Sequence, residues 1–153
     1  MKPFDEYPMA GHELIGPLDS IDNLSQGYWL DLQKRTGQTH CAYCGADLMS
    51  ENHNNWWSMR VDRVISSAHA TEIGIPAEFA CDTINAVLCC SICYGLRSEY
   101  SAIDEPQIKW NSPRLEDFTD LRDRVFENRK RLIAERRAKE NAVFENKFQL
   151  LAA

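Results

Sequence analysis

The sequence lacks any long, uncharged hydrophobic run, both at its start and further along the chain. The first residues contain no apolar segment of signal-peptide length, and no later stretch is long enough to cross a bilayer. Low-complexity segments and repeats of fixed period are also absent. We therefore expect an intracellular, cytoplasmic globular protein without a membrane partner. In a reducing compartment its six cysteines are expected to be thiols and metal ligands rather than a disulfide framework.

An excess of positive charge is missing as well, since the formal net charge is -6. This argues against a protein that coats nucleic acid by bulk electrostatics, because phosphate neutralisation needs a local excess of Lys and Arg. The charge is unevenly distributed. Residues 1–113 hold 7 of the 17 basic and 15 of the 23 acidic side chains, whereas residues 114–153 hold 10 basic and 8 acidic ones. Any contact with DNA should therefore involve the C-terminal segment or a small local patch.

The length of 153 residues predicts one domain with an appended helix. Residues 1–27 are rich in Pro and Gly and predict an irregular N-terminal arm, residues 28–111 a compact module, and residues 112–153 a helical extension. The apolar residues through which the arm is expected to pack are Leu14, Ile15, Leu18 and Ile21.

Two Cys-x-x-Cys pairs are the most informative feature of the chain: Cys41 with Cys44, and Cys90 with Cys93. Each pair can place two thiolates on one side of a tight turn, and Gly45 permits the turn after the first pair. Alone, either pair is equally well explained by buried small residues, because free Cys behaves as a small hydrophobe. Together, the pairs predict a structural zinc site with four thiolate ligands.

The segments around the cysteine pairs predict an α+β fold. Residues 28–35 form a short predicted helix before the first pair. Residues 56–65 are aromatic and β-branched and predict a strand, residues 66–76 a loop with a helical turn, and Pro76 the start of another helix. Residues 86–89 predict a second strand, and a helix should follow Cys93. These elements describe a zinc-stapled ββα core with a preceding short helix and a long C-terminal amphipathic helix.

This arrangement resembles the HNH endonuclease family in its zinc-bearing, ββα-metal form. That family's pattern is Cys-x-x-Cys, Asp-His-Val/Ile-x-Pro, Asn, then Cys-x-x-Cys-Asn/His, and Asp62 and Asn85 match its aspartate and asparagine. Further similarity to one branch of the family lies in residues 37–45, 73–79 and 121–130, so the resemblance covers roughly residues 24–145. It implies an endonuclease that hydrolyses phosphodiester bonds and has DNA as its partner.

The resemblance also implies a mechanism, and the chain departs from it. In the family, a histidine after the aspartate acts as general base, while the aspartate and the residue after the last cysteine hold Mg²⁺ or Mn²⁺ against the phosphate. Here Asp62 would be the metal ligand, and Asn85 would orient the loop. Arg63 stands at the histidine position, and a guanidinium cannot accept a proton from water. Tyr94 stands at the second ligand position, and Ser66 replaces the proline.

Three interpretations of these departures remain open from the sequence. The chain is a divergent nuclease with another base, for which His69 and His53 are the nearby imidazoles. Alternatively, it is a non-catalytic pseudo-nuclease that binds DNA or a protein, with Arg63 as a phosphate-binding cation. In the third interpretation, Asp62 and Arg63 form a local ion pair in an interaction module.

The C-terminal segment predicts an amphipathic helix with an N-cap at Ser112 and proline at position 113. Its basic block is either a DNA-backbone contact or a solvated helix face. The block consists of Arg129, Lys130, Arg131, Arg136, Arg137 and Lys139. The end of the segment is apolar again, and if it does not fold back, it could pair with a second copy to form a homodimer or with another protein.

Overall fold

The computed structural model describes residues 3–19, 27–50, 59–97 and 114–152. Its described part is α+β, as expected. The helices and strands, in chain order, are α1 (Gly27–Thr36), β1 (Met59–Arg63), α2 (Ser67–Ile73), α3 (Ala77–Ala80), β2 (Ala86–Cys90), α4 (Ser91–Leu96) and α5 (Leu115–Ala152). Short 3₁₀ turns lie at Pro3–Glu6, Pro8–Gly11 and Thr83–Asn85.

The β1–β2 hairpin is the centre of the fold. The strands are antiparallel, and their register pairs Met59 with Cys90 and Asp62 with Val87. Every residue of β2 is buried, and α1 and α4 pack against this strand. The predicted hairpin is confirmed, although β1 ends at Arg63 rather than at residue 65 as predicted. Trp56 and Trp57, at the start of that prediction, lie outside the described residues.

The connection between the two strands contains two short helices rather than a plain loop. Ser66 caps α2, since its Oγ accepts a hydrogen bond from the backbone N–H of His69 at 3.2 Å. Gly74 ends the helix in the left-handed region, with φ of 86°. Pro76 then precedes α3, as its position in the sequence predicted.

The N-terminal arm is attached to the core by aromatic residues and one buried arginine. Phe4 and Tyr7 are buried, and the Tyr7 hydroxyl donates to Gln38 Oε1 and to the carbonyl of Ala86. Arg122 of α5 is fully buried, donates to the carbonyls of Gly11 and Ile84, and lies 3.7 Å from the centre of the Phe4 ring. These contacts hold the arm between the hairpin and α5.

The apolar residues predicted to anchor the arm differ in how far they are buried. Leu18 is buried and Ile15 packs partly against the core, but Leu14 is 40 % exposed. Ile21 lies outside the described residues. The arm is therefore held in two places: at its first turn through Phe4 and Tyr7, and further along where the Asp82 carboxylate accepts the N–H groups of Ile15 and Gly16.

The helix α5 changes character along its 38 residues. Its first half packs on the module and buries Phe118, Val125, Phe126 and Ile133. All residues from 138 to 152 are exposed. The exposed apolar residues at this end are Val143, Phe144, Phe148, Leu150 and Leu151. The tail thus does not fold back, and its pairing with a second copy or another protein stays a prediction.

None of the described helices combines the length and the apolar character that a membrane span requires. Helix α5 begins at Leu115, and its predicted N-cap, Ser112, lies outside the described residues.

Candidate metal centre and the buried aspartate beside it

The four predicted cysteine ligands come together from two separate turns. In the first turn, the N–H of Gly45 donates to the carbonyl of Cys41 at 2.8 Å, and Gly45 adopts a φ of 75°. The N–H of Ala42 donates to the carbonyl of Leu88, which fastens this turn to β2. The second pair lies where β2 passes directly into α4, so that both pairs meet at one end of the hairpin.

The geometry of the cluster fits a tetrathiolate zinc site. The sulfur atoms of Cys41, Cys44, Cys90 and Cys93 all lie within 4.8 Å of one another, and the Sγ atoms of Cys44 and Cys90 are 3.9 Å apart. Tetrahedral zinc with Zn–S bonds of about 2.3 Å would separate its sulfurs by about 3.8 Å. The predicted four-cysteine cluster is therefore confirmed, and its arrangement is consistent with a structural Zn²⁺.

The thiols of the cluster influence one another's ionisation. A hydrogen bond from Cys93 lowers the pKa of Cys41 to about 4, whereas that same interaction raises the pKa of Cys93. Burial raises the pKa of Cys90. Four such close sulfurs cannot all ionise without a cation among them, and metal binding would displace the remaining protons. This is the expected chemistry of a donor set for zinc.

Arg137 of α5 reaches this cluster from the side. Its Nη1 lies 3.7 Å from Cys93 Sγ, and a hydrogen bond from its guanidinium to Cys44 raises the pKa of Arg137. The sequence placed this residue in the basic block that is either a DNA-backbone contact or a solvated helix face. In the structure its guanidinium faces the thiols.

Asp62 lies in β1 and is 2 % exposed. Its Oδ2 accepts a hydrogen bond from the Tyr43 hydroxyl at 2.5 Å and another from Arg129 Nη1 at 2.9 Å. Arg129 also donates to the carbonyl of Val64 at 2.8 Å. Burial opposes the charge of Arg129, but Tyr43 and Asp62 outweigh it and raise the pKa of this guanidinium. The carboxylate is thus neutralised by α5.

A second arginine approaches the other oxygen of Asp62. Arg97 Nε lies 3.1 Å from Oδ1 in an ion pair, although its direction does not make a hydrogen bond. The Arg97 guanidinium lies 3.9 Å from the centre of the Tyr94 ring, a cation–π contact. Tyr94, at the position of the family's second metal ligand, therefore supports a cation that pairs with Asp62.

Burial, and then the adjacent Asp62 charge, raise the pKa of Tyr43 well above its usual value. The phenol therefore stays protonated and remains a hydrogen-bond donor to the carboxylate. Its ring stacks on Phe126 with centroids 5.1 Å apart, which joins the first cysteine turn to α5.

Asn85 hydrogen-bonds the end of β1 to the end of α3, and its role in a reaction stays a prediction. Its Oδ1 accepts from the N–H of Ile65, and its Nδ2 donates to the carbonyls of Ile65 and Ala80, the latter two both at 2.8 Å. Arg63 Nη1 donates to the same Ala80 carbonyl at 3.1 Å. The ion pairs of Asp62 are with Arg97 and Arg129 rather than with Arg63, so the local pair considered from the sequence does not form.

Of the two candidate bases, only His69 lies among the described residues. His69 lies half-buried in α2, and its imidazole makes no hydrogen bond to any residue that the structure describes. His53 lies outside the described residues. A role for His69 as a base stays a prediction.

The basic block of α5 is divided by its contacts. Arg129 is buried against Asp62, and Arg137 faces the thiols. Arg131 and Arg136 form ion pairs one turn along the helix, with Glu135 at 3.0 Å and Glu140 at 3.3 Å. Lys130 is half-buried and Lys139 exposed. Four of the six residues thus remain at the surface, where a phosphate backbone can be reached.

Sequence reasoning missed the roles of Tyr43, Arg97 and Arg129 around Asp62. One signal was available for Arg129. It follows Val125 by four residues and precedes Ile133 by four, so it lies on the apolar face of α5. A charged residue on a buried face requires a buried partner.

Comparison with known protein families, with curated proteins and with solved structures finds no match to this chain.

Proposed function

We propose that this protein is an HNH-like, DNA-directed module that derives from a metal-dependent endonuclease, keeps DNA binding and has lost hydrolysis. The observation that supports this most directly is the environment of Asp62. Both of its oxygens face guanidinium groups, one from Arg97 and one from Arg129, in a buried site. Two arginines bring the same total charge as one divalent cation.

The electrostatics of this site favour the pseudo-nuclease over the active enzyme. A catalytic Mg²⁺ or Mn²⁺ needs carboxylate lone pairs that point into an open, hydrated cleft. To bind such an ion, Asp62 would have to release Arg129, which would then be buried without its counter-ion. Arg63 adds a second obstacle, because it is protonated at any physiological pH and cannot act as general base.

Zinc has a structural role in this proposal. All four sulfurs are needed to complete a tetrahedral site, which leaves no open position for a substrate or water. The residues that would hold the metal are the four cysteines of the cluster, and their metal would fix the two turns against the hairpin. Binding of DNA is assigned to the protein surface rather than to the metal.

The first test is plasmid nicking by the purified, zinc-loaded protein in Mg²⁺ or Mn²⁺. We expect no cleavage above background from the wild type, because the base is missing and Asp62 is neutralised by arginines. The single variant Arg63→His should also be inactive, since it restores a base without freeing Asp62. Agarose gels over a protein titration measure both outcomes.

A matched control is Asp62→Asn, which keeps the size of the side chain and one acceptor oxygen. Cleavage by the wild type that disappears in Asp62→Asn would refute the loss of hydrolysis and would make His69 the next residue to replace. Equal cleavage by both proteins would identify a contaminating nuclease.

The second test is the affinity for duplex DNA, which we assign to the surface residues of the α5 basic block. The test uses the triple variant Lys130→Glu, Arg131→Glu, Lys139→Glu. It leaves in place buried Arg129 and Arg137, which faces the thiols. We expect it to bind a DNA duplex at least about 10-fold more weakly. The slope of log K against log salt should fall in magnitude by up to about three, because each lost phosphate contact removes about 0.9. Fluorescence anisotropy over a salt series measures both.

Arg114→Glu provides the control for this test. Arg114 is 64 % exposed and lies directly before the first residue of α5, where it pairs with Glu116 and Asp117. Its reversal should leave the salt slope unchanged. An unchanged affinity in the triple variant would show that the block is only a solvated face.

A further inference from the structure

Arg137 contacts the cysteine cluster, although it is neither a zinc ligand nor a surface residue free to bind DNA. Arg137 is half-buried, with Nη1 at 3.7 Å from Cys93 Sγ, and it lines the same cleft as Cys44. It lies one turn after Ile133, the last buried residue of α5. Every described residue after Arg137 is exposed, so this side chain is at the point where the helix leaves the core.

The charge of a tetrathiolate zinc site explains why a guanidinium would lie there. Four thiolates and one Zn²⁺ carry a net charge of −2, and partners around the ligands orient them and tune metal binding. Cys41, Cys90 and Cys93 are buried, but Cys44 is exposed. Cys44 borders a cleft whose other wall is formed by Ile133, Arg137 and Asn141 of α5. Arg137 thus lies beside the one thiolate that solvent or a chelator can reach.

We propose that Arg137 is the charge-compensating partner of the zinc–thiolate site, and that this contact links metal retention to the docking of the middle of α5. The guanidinium shields Cys44 and Cys93 from competing ligands. In return, the charged metal site holds the helix on the core for one turn beyond its last apolar contact. The inference depends on zinc at the four cysteines and is independent of DNA binding.

The experiment compares zinc release from Arg137→Ala, Arg137→Gln and Arg137→Lys with the wild type and with Arg131→Ala. Arg131 is the matched control, because it lies on the same helix, is 60 % exposed and pairs with Glu135. Transfer of zinc to a colorimetric chelator gives the rate. We expect Arg137→Ala and Arg137→Gln to lose zinc about 10- to 100-fold faster, Arg137→Lys to lie between them and the wild type, and Arg131→Ala to release zinc at the wild-type rate.

Hydrogen exchange of the backbone amides of residues 134–141 is a second readout. We expect these amides to exchange faster in Arg137→Ala than in the wild type, with little change in residues 118–129. Equal zinc release and equal exchange in wild type and Arg137→Ala would overturn the proposal, as would purification of a folded protein that binds no zinc. If Arg137→Ala does not fold, the comparison of Arg137→Lys with Arg137→Gln decides, and equal zinc release by these two would also overturn it.

Discussion

Removal of zinc is expected to unfold the whole module rather than to loosen a single loop. The same result is expected for Cys90→Ser, which removes one of the four sulfurs. A two-stranded hairpin has little stability alone, and here its end is closed by cysteines from positions 41–44 and 90–93. Structural zinc contributes on the order of 10 kcal/mol, which is comparable to the entire stability of a typical domain.

The unfolding should propagate beyond the metal site. Cys90 ends β2 and caps α4, since its Sγ accepts the N–H of Cys93 at 3.4 Å. The serine hydroxyl can still cap α4, but loss of the metal frees the start of this helix, and with it Arg97, one of the two cations that face Asp62. Metal analysis should give about one zinc per chain in the wild type. Far-UV circular dichroism should show loss of the cooperative thermal transition in Cys90→Ser and after chelation.

Cys81→Ser is the control for the cysteine substitution. Cys81 is exposed and does not belong to the cluster, so its replacement should leave both zinc content and melting unchanged. A wild type without zinc, or a Cys90→Ser variant that melts like the wild type, would remove the metal site as the basis of the fold.

The features that the sequence predicted correctly are those encoded over short distances. The two Cys-x-x-Cys turns, the hairpin strands and the helix after Pro76 each depend on neighbouring residues, whose spacing can be read directly. The helix predicted to follow Cys93 begins earlier, at Ser91, because Cys90 caps it. The meeting of the two cysteine pairs was inferred because a single metal can use both. These local patterns were sufficient for the fold class and for the candidate zinc site.

The environment of Asp62 could not be obtained in this way. Its partners Tyr43 and Arg129 lie 19 and 67 residues away along the chain, and no local rule connects them to it. The spacing of Arg129 from Val125 and Ile133 carried a signal of its burial that was not used, and even that signal could not identify its partner. The family resemblance implied a divalent metal at Asp62. Arg97 and Arg129 form ion pairs with this carboxylate, and the metal stays a prediction. Phe4 and Tyr7 show the same limit, since they are buried through contacts with distant α5 and β2.

Replacing Arg129 with methionine is expected to cost about 3–5 kcal/mol of the free energy of unfolding, the usual effect of breaking a buried ion pair. Arg129 and Asp62 are both nearly inaccessible to solvent, with side chains 5 % and 2 % exposed. Methionine fills much of the volume of the arginine stem, so the loss should be electrostatic. It leaves Asp62 with Tyr43 and with the ion pair to partly exposed Arg97, and it leaves the Val64 carbonyl without its donor. Urea denaturation of zinc-loaded protein measures the effect.

A double-mutant cycle separates the ion pair from the packing of Arg129. Asp62→Asn removes the negative charge, so Asp62→Asn combined with Arg129→Met should be less destabilising than the sum of the two single changes. Arg131→Met, at a surface ion pair on the same helix, should change stability by less than about 0.5 kcal/mol. If Arg129→Met cost no more than Arg131→Met, Asp62 would not depend on the guanidinium. The carboxylate would then be available to a divalent cation, and the case for an active nuclease would be restored. A large, coupled loss would instead mean that the position where the resemblance implies a catalytic metal serves to hold α5 on the hairpin.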